Sequence, residues 1–142
     1  MFTADMVMTK KVYKVKKGQP LKDAMEIMLS KKIRGIPVVD DANNLVGIIT
    51  ESDMLKILID DDINDADPVE NFMTKDVKCF NARDKIMDIF NYFIESPRRR
   101  VPILKDGKLV GIISRRDLIS LIRDLKKRDL QRTNWWARII PA

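Results

Sequence analysis

Two hydroxyl–carboxylate pairs carry most of what this sequence offers for chemistry: Thr50 with Asp53, and Ser114 with Asp117. In each pair the carboxylate follows three residues after the hydroxyl. An ionised carboxylate accepts on two oxygens and a hydroxyl both donates and accepts, so either pair can hold a small polar ligand. The same spacing is that of a capping box, in which the two side chains satisfy the first free N–H groups of a helix and no ligand is needed. A helix opening there would also turn its free N–H groups and the positive end of its dipole toward an anion. The residues alone leave both readings open.

Each pair ends the same phrase. Leu45-Val46-Gly47-Ile48-Ile49-Thr50 and Leu109-Val110-Gly111-Ile112-Ile113-Ser114 stand 64 residues apart, which marks a duplicated unit. Upstream the offset is 65: Met73-Thr74-Lys75 follows Met8-Thr9-Lys10, Val77 follows Val12, Pro102 follows Pro37 and Asp106 follows Asp41. One residue is lost at the tight Asp106-Gly107 turn, a hairpin signal. Leu21, Ala24, Met25, Met28 and Leu29 fall on one helical face, and the stripe recurs as Ile86, Ile89, Phe90, Phe93 and Ile94. Pro20 suits the first position of that helix, and Lys31 and Lys32 suit its C-terminal end. Short strands are expected from Val12 to Val15, from Ile33 to Val39 and from Leu45 to Ile49, with a turn at Asp40–Asn44 and a second helix from Ser52 to about Ile59. Each unit thus reads strand, helix, strand, hairpin, strand, helix.

The acidic stretch from Asp60 to Pro68 reads as a linker, giving a first unit at 1–66 and a second at 67–142. The second ends in a helical extension from near Arg116 to about Gln131. Trp135, Trp136, Ile139 and Ile140 beyond it are too apolar for a free tail; packing on the body or on a partner subunit is expected, with ligand stacking by a Trp as the other reading.

The bulk numbers exclude several classes. At 142 residues, 45% hydrophobic and 34% charged, the chain is one ordinary domain or two small ones sharing a core. No apolar run reaches the roughly 20 residues of a membrane span, and Met1–Asp5 lacks the basic and apolar regions of a signal peptide. The single Cys79 excludes an internal disulfide and fits a reducing cytoplasm. There is no His, and none of the five Gly forms a phosphate-cradling loop. No metal-ligand cluster appears, and Ser and Asp without a base partner make no nucleophilic site. The eight Met read as core filler. No catalytic residue, metal or cofactor is therefore expected, and the protein reads as a non-enzyme. Residues 1–66 carry 10 Lys/Arg against 11 Asp/Glu, and residues 67–142 carry 17 against 10, so the second half is the place for any anionic partner, although most of these cations read as scattered, solvated side chains.

The Met-Thr pairs, the Ile-Pro-Val-Val-Asp and Val-Pro-Ile-Leu strands and the Leu-Val-Gly-Ile-Ile-(Thr/Ser)-x-x-Asp endings resemble a cystathionine-β-synthase (CBS) domain pair, over roughly residues 5–125. The resemblance implies an α+β fold: tandem CBS domains, two β-α-β-β-α units packed through their sheets with pseudo-twofold symmetry and two clefts between them. It implies a regulatory module that binds an adenosine compound such as AMP, ADP, ATP or S-adenosylmethionine, and a homodimer that acts on an unidentified regulated protein.

By the same resemblance Asp53 and Asp117 take the ribose-binding position, and Thr50 and Ser114 the neighbouring hydroxyl position. The Asp117 cleft would draw on Thr9, Tyr13, Ile33, Arg34 and Gly35, with Gly35 letting adenine approach the backbone. Arg99 and Arg100 fall where relatives place phosphate-binding residues, and guanidinium groups suit phosphate. The Asp53 cleft would face the Arg98–Arg100 strand, with Arg34 available for phosphate, and its Asp reads mainly as a cap. Ion pairing of the arginines with the acidic linker or a second subunit is the plain alternative. Two other functions stay open: a scaffold whose clefts remain empty, and nucleic-acid binding, for which no recognised motif is present.

Overall fold

The computed structural model describes residues 2–56 and 59–128. A single-turn helix, α1 (Ala4–Val7), opens the described chain without any periodicity to announce it. Strand β1 is only Val15–Lys16, shorter than the run from Val12 suggests. The apolar stripe then folds as α2 (Leu21–Lys31), burying Leu21, Ala24 and Met28. Pro20 is its N-cap rather than its first helical residue, and Lys32 closes it in the left-handed region at φ 54°.

Branched residues, whose stiff side chains favour extended backbone, make β2 (Gly35–Val39) and β3 (Leu45–Thr50). Helix α3 (Glu51–Leu55) follows, and a 3-10 turn spans Val69–Asn71. The second repeat supplies β4 (Phe80–Asn81), α4 (Ile86–Glu95), β5 (Arg100–Lys105), β6 (Lys108–Ser114) and α5 (Arg115–Arg128). The expected course of the last helix to Gln131 and the Trp135-Trp136 packing lie outside the described residues.

Two three-stranded sheets result, in the orders β1-β2-β3 and β4-β5-β6. In each the short first strand runs parallel to the second. β2 and β3 pair antiparallel, Gly35 opposite Thr50 and Ile36 opposite Ile49, with an irregularity at Val38/Val39. The β5–β6 turn has two residues with positive φ, Asp106 at 52° and Gly107 at 80°, as a type I′ hairpin demands. This α+β arrangement, one three-stranded sheet with helices per repeat, is the one expected. Among the described residues no helix is long and apolar enough to cross a membrane.

The compact units do not follow the order of the sequence. Of the described residues, one gathers those in 2–12, 78–105 and 110–128; the other gathers those in 13–77 and Asp106–Leu109. They are called here the Asp117 unit and the Asp53 unit. The first buries Ile86, Ile89, Val101, Ile103 and Ile113, with Ala4 among them. The second buries Leu21, Ala24, Ile36, Val38, Ile49 and Val69. The acidic segment is bound into the Asp53 unit: the backbone N–H groups of Leu21 and Lys22, at the start of α2, donate to the carbonyls of Asp67 and Asp65, each at 2.8 Å. These carbonyls satisfy two of the helix's four orphan donors.

Candidate functional site

Both hydroxyl–carboxylate pairs sit where a strand turns into a helix, and both form capping boxes. At α3, the Thr50 backbone N–H and hydroxyl donate to Asp53 Oδ2 at 2.9 and 3.0 Å, and Asp53 N–H donates back to Thr50 Oγ1 at 3.4 Å. At α5, the Ser114 N–H and hydroxyl donate to Asp117 Oδ2 at 2.8 and 3.1 Å, and Asp117 N–H donates to Ser114 Oγ at 3.2 Å. Capping is thus a role of both pairs. It consumes one carboxylate oxygen in each, since an oxygen with two lone pairs has accepted two donors.

The other oxygen separates the two sites. Asp53 Oδ1 lies 3.5 Å from Lys56 Nζ, and its side chain is 5% exposed. Position 120, the counterpart of 56, is Ser. No described residue donates to Asp117 Oδ1, and Asp117 is half-buried. Asp117 therefore keeps two lone-pair directions for an outside donor, whereas Asp53 is enclosed and ion-paired. Lys56 is a functional difference that sequence reasoning missed, although its i+3 spacing from Asp53 was visible.

Thr9, Arg99, Arg100 and Ser114 fall in the same compact unit as Asp117, and of these Ser114 is bonded to it. Thr9 forms an isolated bridge with Ile112, N–H to O at 2.8 Å one way and 3.0 Å the other. The Arg115 N–H donates to Arg99 O at 3.0 Å, tying the arginine end of β5 to the start of α5. Arg98, Arg99 and Arg100 are all exposed, and none forms an ion pair with another described residue. Arg115, absent from the expected site, holds this corner. Its Nε donates to Arg98 O at 3.0 Å, and its Nη2 donates to Phe93 O at 2.9 Å and to Ser96 O. It thereby satisfies orphan carbonyls at the end of α4, as a cation there should.

Tyr13, Ile33, Arg34, Gly35, Thr50 and Asp53 fold in the Asp53 unit. Tyr13 packs against its core, with Lys31 Nζ 5.3 Å from the ring centroid. Arg34 O accepts from Glu51 N–H at 3.0 Å, the counterpart of Arg99 and Arg115. Ile33 and Arg34 line an open groove of about 540 Å3 with Met28, Met54 and Leu55. A Cβ on Gly35 would meet Ile49 O at 3.4 Å and Ile48 Cδ1 at 3.5 Å, ordinary contact distances. Internal packing therefore does not demand glycine at 35.

The duplicated glycines of β3 and β6 behave differently. A Cβ on Gly47 would lie 2.8 Å from Met73 Cγ and 2.9 Å from Thr74 O; one on Gly111 would lie 2.7 Å from Met8 Cγ. Thr74 also exchanges both backbone hydrogen bonds with Ile48, each at 2.9 Å. Each Met-Thr pair thus docks on the closing strand of the opposite sequence repeat. Their repetition 65 residues apart was the available signal, but nothing local reveals a partner so distant in the chain.

Comparison with known proteins agrees with this construction. The chain is 38% identical over 120 residues to an uncharacterized 17.7 kDa protein of Acidianus ambivalens, covering 84% of this chain and 72% of that one. It is 31% identical over 116 residues to an uncharacterized protein of Methanocaldococcus jannaschii, covering 82% of this chain but spanning only 41% of that protein's length. The crystal structure of CBSX2 in complex with AMP superposes with a TM-score of 0.79 at 28% identity, covering 89% of this chain and 99% of that one; CBSX2 is a chloroplastic CBS domain-containing protein in Arabidopsis thaliana. The CBS domain model matches twice, at residues 4–60 and 69–124. The chain belongs to the CBS domain family and carries two CBS repeats.

Proposed function

We propose that this chain is a non-catalytic regulatory module whose ligand is an adenosine nucleotide held through Asp117. The observation that carries the proposal is the free Oδ1 of Asp117. Its Oδ2 is spent on Ser114, while Oδ1 keeps two acceptor directions, the number a ribose diol needs. Arg99 and Arg100, exposed and in the same compact unit as Asp117, would take the phosphate, since guanidinium groups bind it in a forked, charge-assisted geometry. The AMP complex of CBSX2, a relative by fold and sequence, supports this ligand class. Asp53, with both oxygens engaged, acts mainly as a cap. The same reading includes a homodimer and a regulated protein whose contacts change with ligand; a ligand shifts such an equilibrium only by its different affinity for the two states.

Calorimetric titration with AMP, ADP, ATP and S-adenosylmethionine tests the proposal. Asp117→Asn keeps a carbonyl oxygen for the cap and loses the anionic acceptor. It should weaken binding by about tenfold or more, in line with roughly 1–3 kcal/mol for a lost hydrogen-bond acceptor, while Asp53→Asn leaves affinity within about twofold. Equal loss from both variants, or none from Asp117→Asn, would overturn the assignment. A scaffold with no ligand would give no heat with any of the four.

A further inference from the structure

The fold sorts the charges more sharply than the order of the sequence does. The described residues of the Asp117 unit include 15 Lys/Arg against 6 Asp/Glu; those of the Asp53 unit include 10 against 14. One unit is therefore at +9 and the other at −4. A unit so basic works against itself by self-repulsion, and its own acids relieve little of that. Its printed ion pairs are Arg83 with Asp5 at 3.6 Å and Arg123 with Asp124 at 3.4 Å.

The cations are not scattered evenly over this unit. On α5, Arg116, Arg123 and Lys127 are exposed. At about 100° per residue they fall within roughly 40° of one line along the helix, with the exposed Lys126 flanking it. Asp124, the exposed acid of α5, lies on the other side of that line. From 116 to 127 the line runs about 16 Å at 1.5 Å per residue. The exposed Arg98–Arg100 run is fastened to the start of the same helix, because the Arg115 N–H donates to Arg99 O and Arg115 Nε to Arg98 O, each at 3.0 Å. Seven exposed cations thus belong to one helix and the strand end tied to it. A band of this length exceeds what the phosphates of a single nucleotide can engage. It matches a polyanion that repeats its charge every few ångströms.

Two features say which polyanion. A basic helix that lies on a lipid surface keeps its apolar face for the acyl boundary. Helix α5 has spent that face inward: Leu118 and Leu125 are buried and Leu121 packs against the same core. Ile119 is then the single apolar residue among its exposed positions. Single-stranded nucleic acid is held largely by stacking bases on aromatic rings, and no aromatic residue is exposed among the described residues. What the surface offers is charge along a line, which suits the backbone of a duplex.

We propose that the outer face of α5, with the Arg98–Arg100 run at its start, binds the phosphodiester backbone of a nucleic-acid duplex without reading its sequence. Contacts to phosphate position a protein on a duplex but carry no base information. This activity goes beyond the nucleotide reading and does not rest on Asp117.

The test is fluorescence anisotropy of the full chain with short labelled duplexes of DNA and of RNA, each in two unrelated sequences, from about 0.05 M to 0.3 M salt. The two sequences should bind alike, and the DNA and RNA arms tell which duplex is preferred. Five to seven neutralised phosphates, at about 0.9 each, give a plot of log K against log salt with a slope of roughly −4.5 to −6 on DNA. Arg123→Ala, Lys126→Ala and Lys127→Ala together should make that slope shallower by about 2.7 and weaken binding at 0.05 M salt at least tenfold. Urea unfolding and AMP titration should be unchanged in that chain. Should it fail to fold, Lys126→Ala with Lys127→Ala is measured instead, with a change of about 1.8 in slope. Asp117→Asn should bind duplex as the wild type does, which separates the two activities. No duplex binding at 0.05 M salt, an unaltered slope in the alanine variants, or binding to one sequence only would each overturn the proposal. So would binding to phosphatidylserine vesicles without binding to either duplex.

Discussion

Asp53 and Asp117 share a strand, a hydroxyl and a cap, and one neighbour makes them different groups. Lys56 sits one helical turn beyond Asp53 and reaches its second oxygen; Ser120 stands at the matched place after Asp117. A third carboxylate, Asp40, has a purely structural task. Its Oδ2 accepts from the Asn44 side chain at 3.0 Å, and its Oδ1 from the Asn44 and Ala42 N–H groups at 2.8 and 3.0 Å. These donors, the Asn44 side chain foremost, hold the Asp40 carboxyl below its ordinary value. A depressed native pKa adds stability that is complete above the unfolded value, about 3.9, and is lost as pH falls through the lower native one. Replacing Asp40 by Ala should therefore lower unfolding stability at neutral pH and flatten its decline in acid, measured by urea unfolding between about pH 6 and pH 2.5. Residue types and spacing made both hydroxyl–carboxylate pairs legible in the sequence. Which carboxylate oxygen is consumed and which stays open was not, because spacing fixes the partner residue and not the lone pair. Arg115 escaped for a related reason: it bonds to backbone carbonyls, which no sequence pattern marks.

At the scale of elements, the closing strands β3 and β6 work as seats. The backbone oxygen of Thr74 and the side chain of Met73 lie where a Cβ on Gly47 would go, while Gly111 faces only the Met8 side chain within that range. Flexible side chains yield more readily than backbone. Gly47→Ala should therefore destabilise by about 1–3 kcal/mol, the usual cost of overpacking, and Gly111→Ala by less. Gly35→Ala should leave stability within about 0.5 kcal/mol. Denaturant unfolding of the three variants checks the order. The helix stripes and the strand repeats were readable because periods of 3.6 and 2 are local signals. The reading erred at the edges of those stripes. Leu29 and Ile94 were counted with the buried face, but each lies one residue, a third of a turn, beyond the buried Met28 and Phe93. Helix α1 was missed because four residues make too little periodicity.

Across the whole molecule, charge is the property most unevenly spread. The second repeat holds the excess of cations, and its exposed Arg98–Arg100 run has no ion-pair partner among the described residues. Phosphate recognition there should strengthen with phosphate charge and weaken with screening. ATP affinity should accordingly fall more steeply than AMP affinity between about 0.05 M and 0.5 M salt, where the screening length contracts several-fold. Parallel slopes from titrations at both ends would count against the arginines as phosphate ligands.

The exchange of the Met-Thr pairs makes the two repeats depend on each other. Met73 and Thr74 complete the sheet edge of the repeat before them, and Met8 and Thr9 lie on the closing strand of the repeat after them. A solitary repeat, cut from this chain, would carry its Met-Thr arm with no strand of its own to receive it, and a strand with no arm. Two such fragments could each complete the other by trading arms. Linkage of the two repeats in one chain therefore makes part of folding an exchange that two separate repeats could make only by a concentration-dependent association.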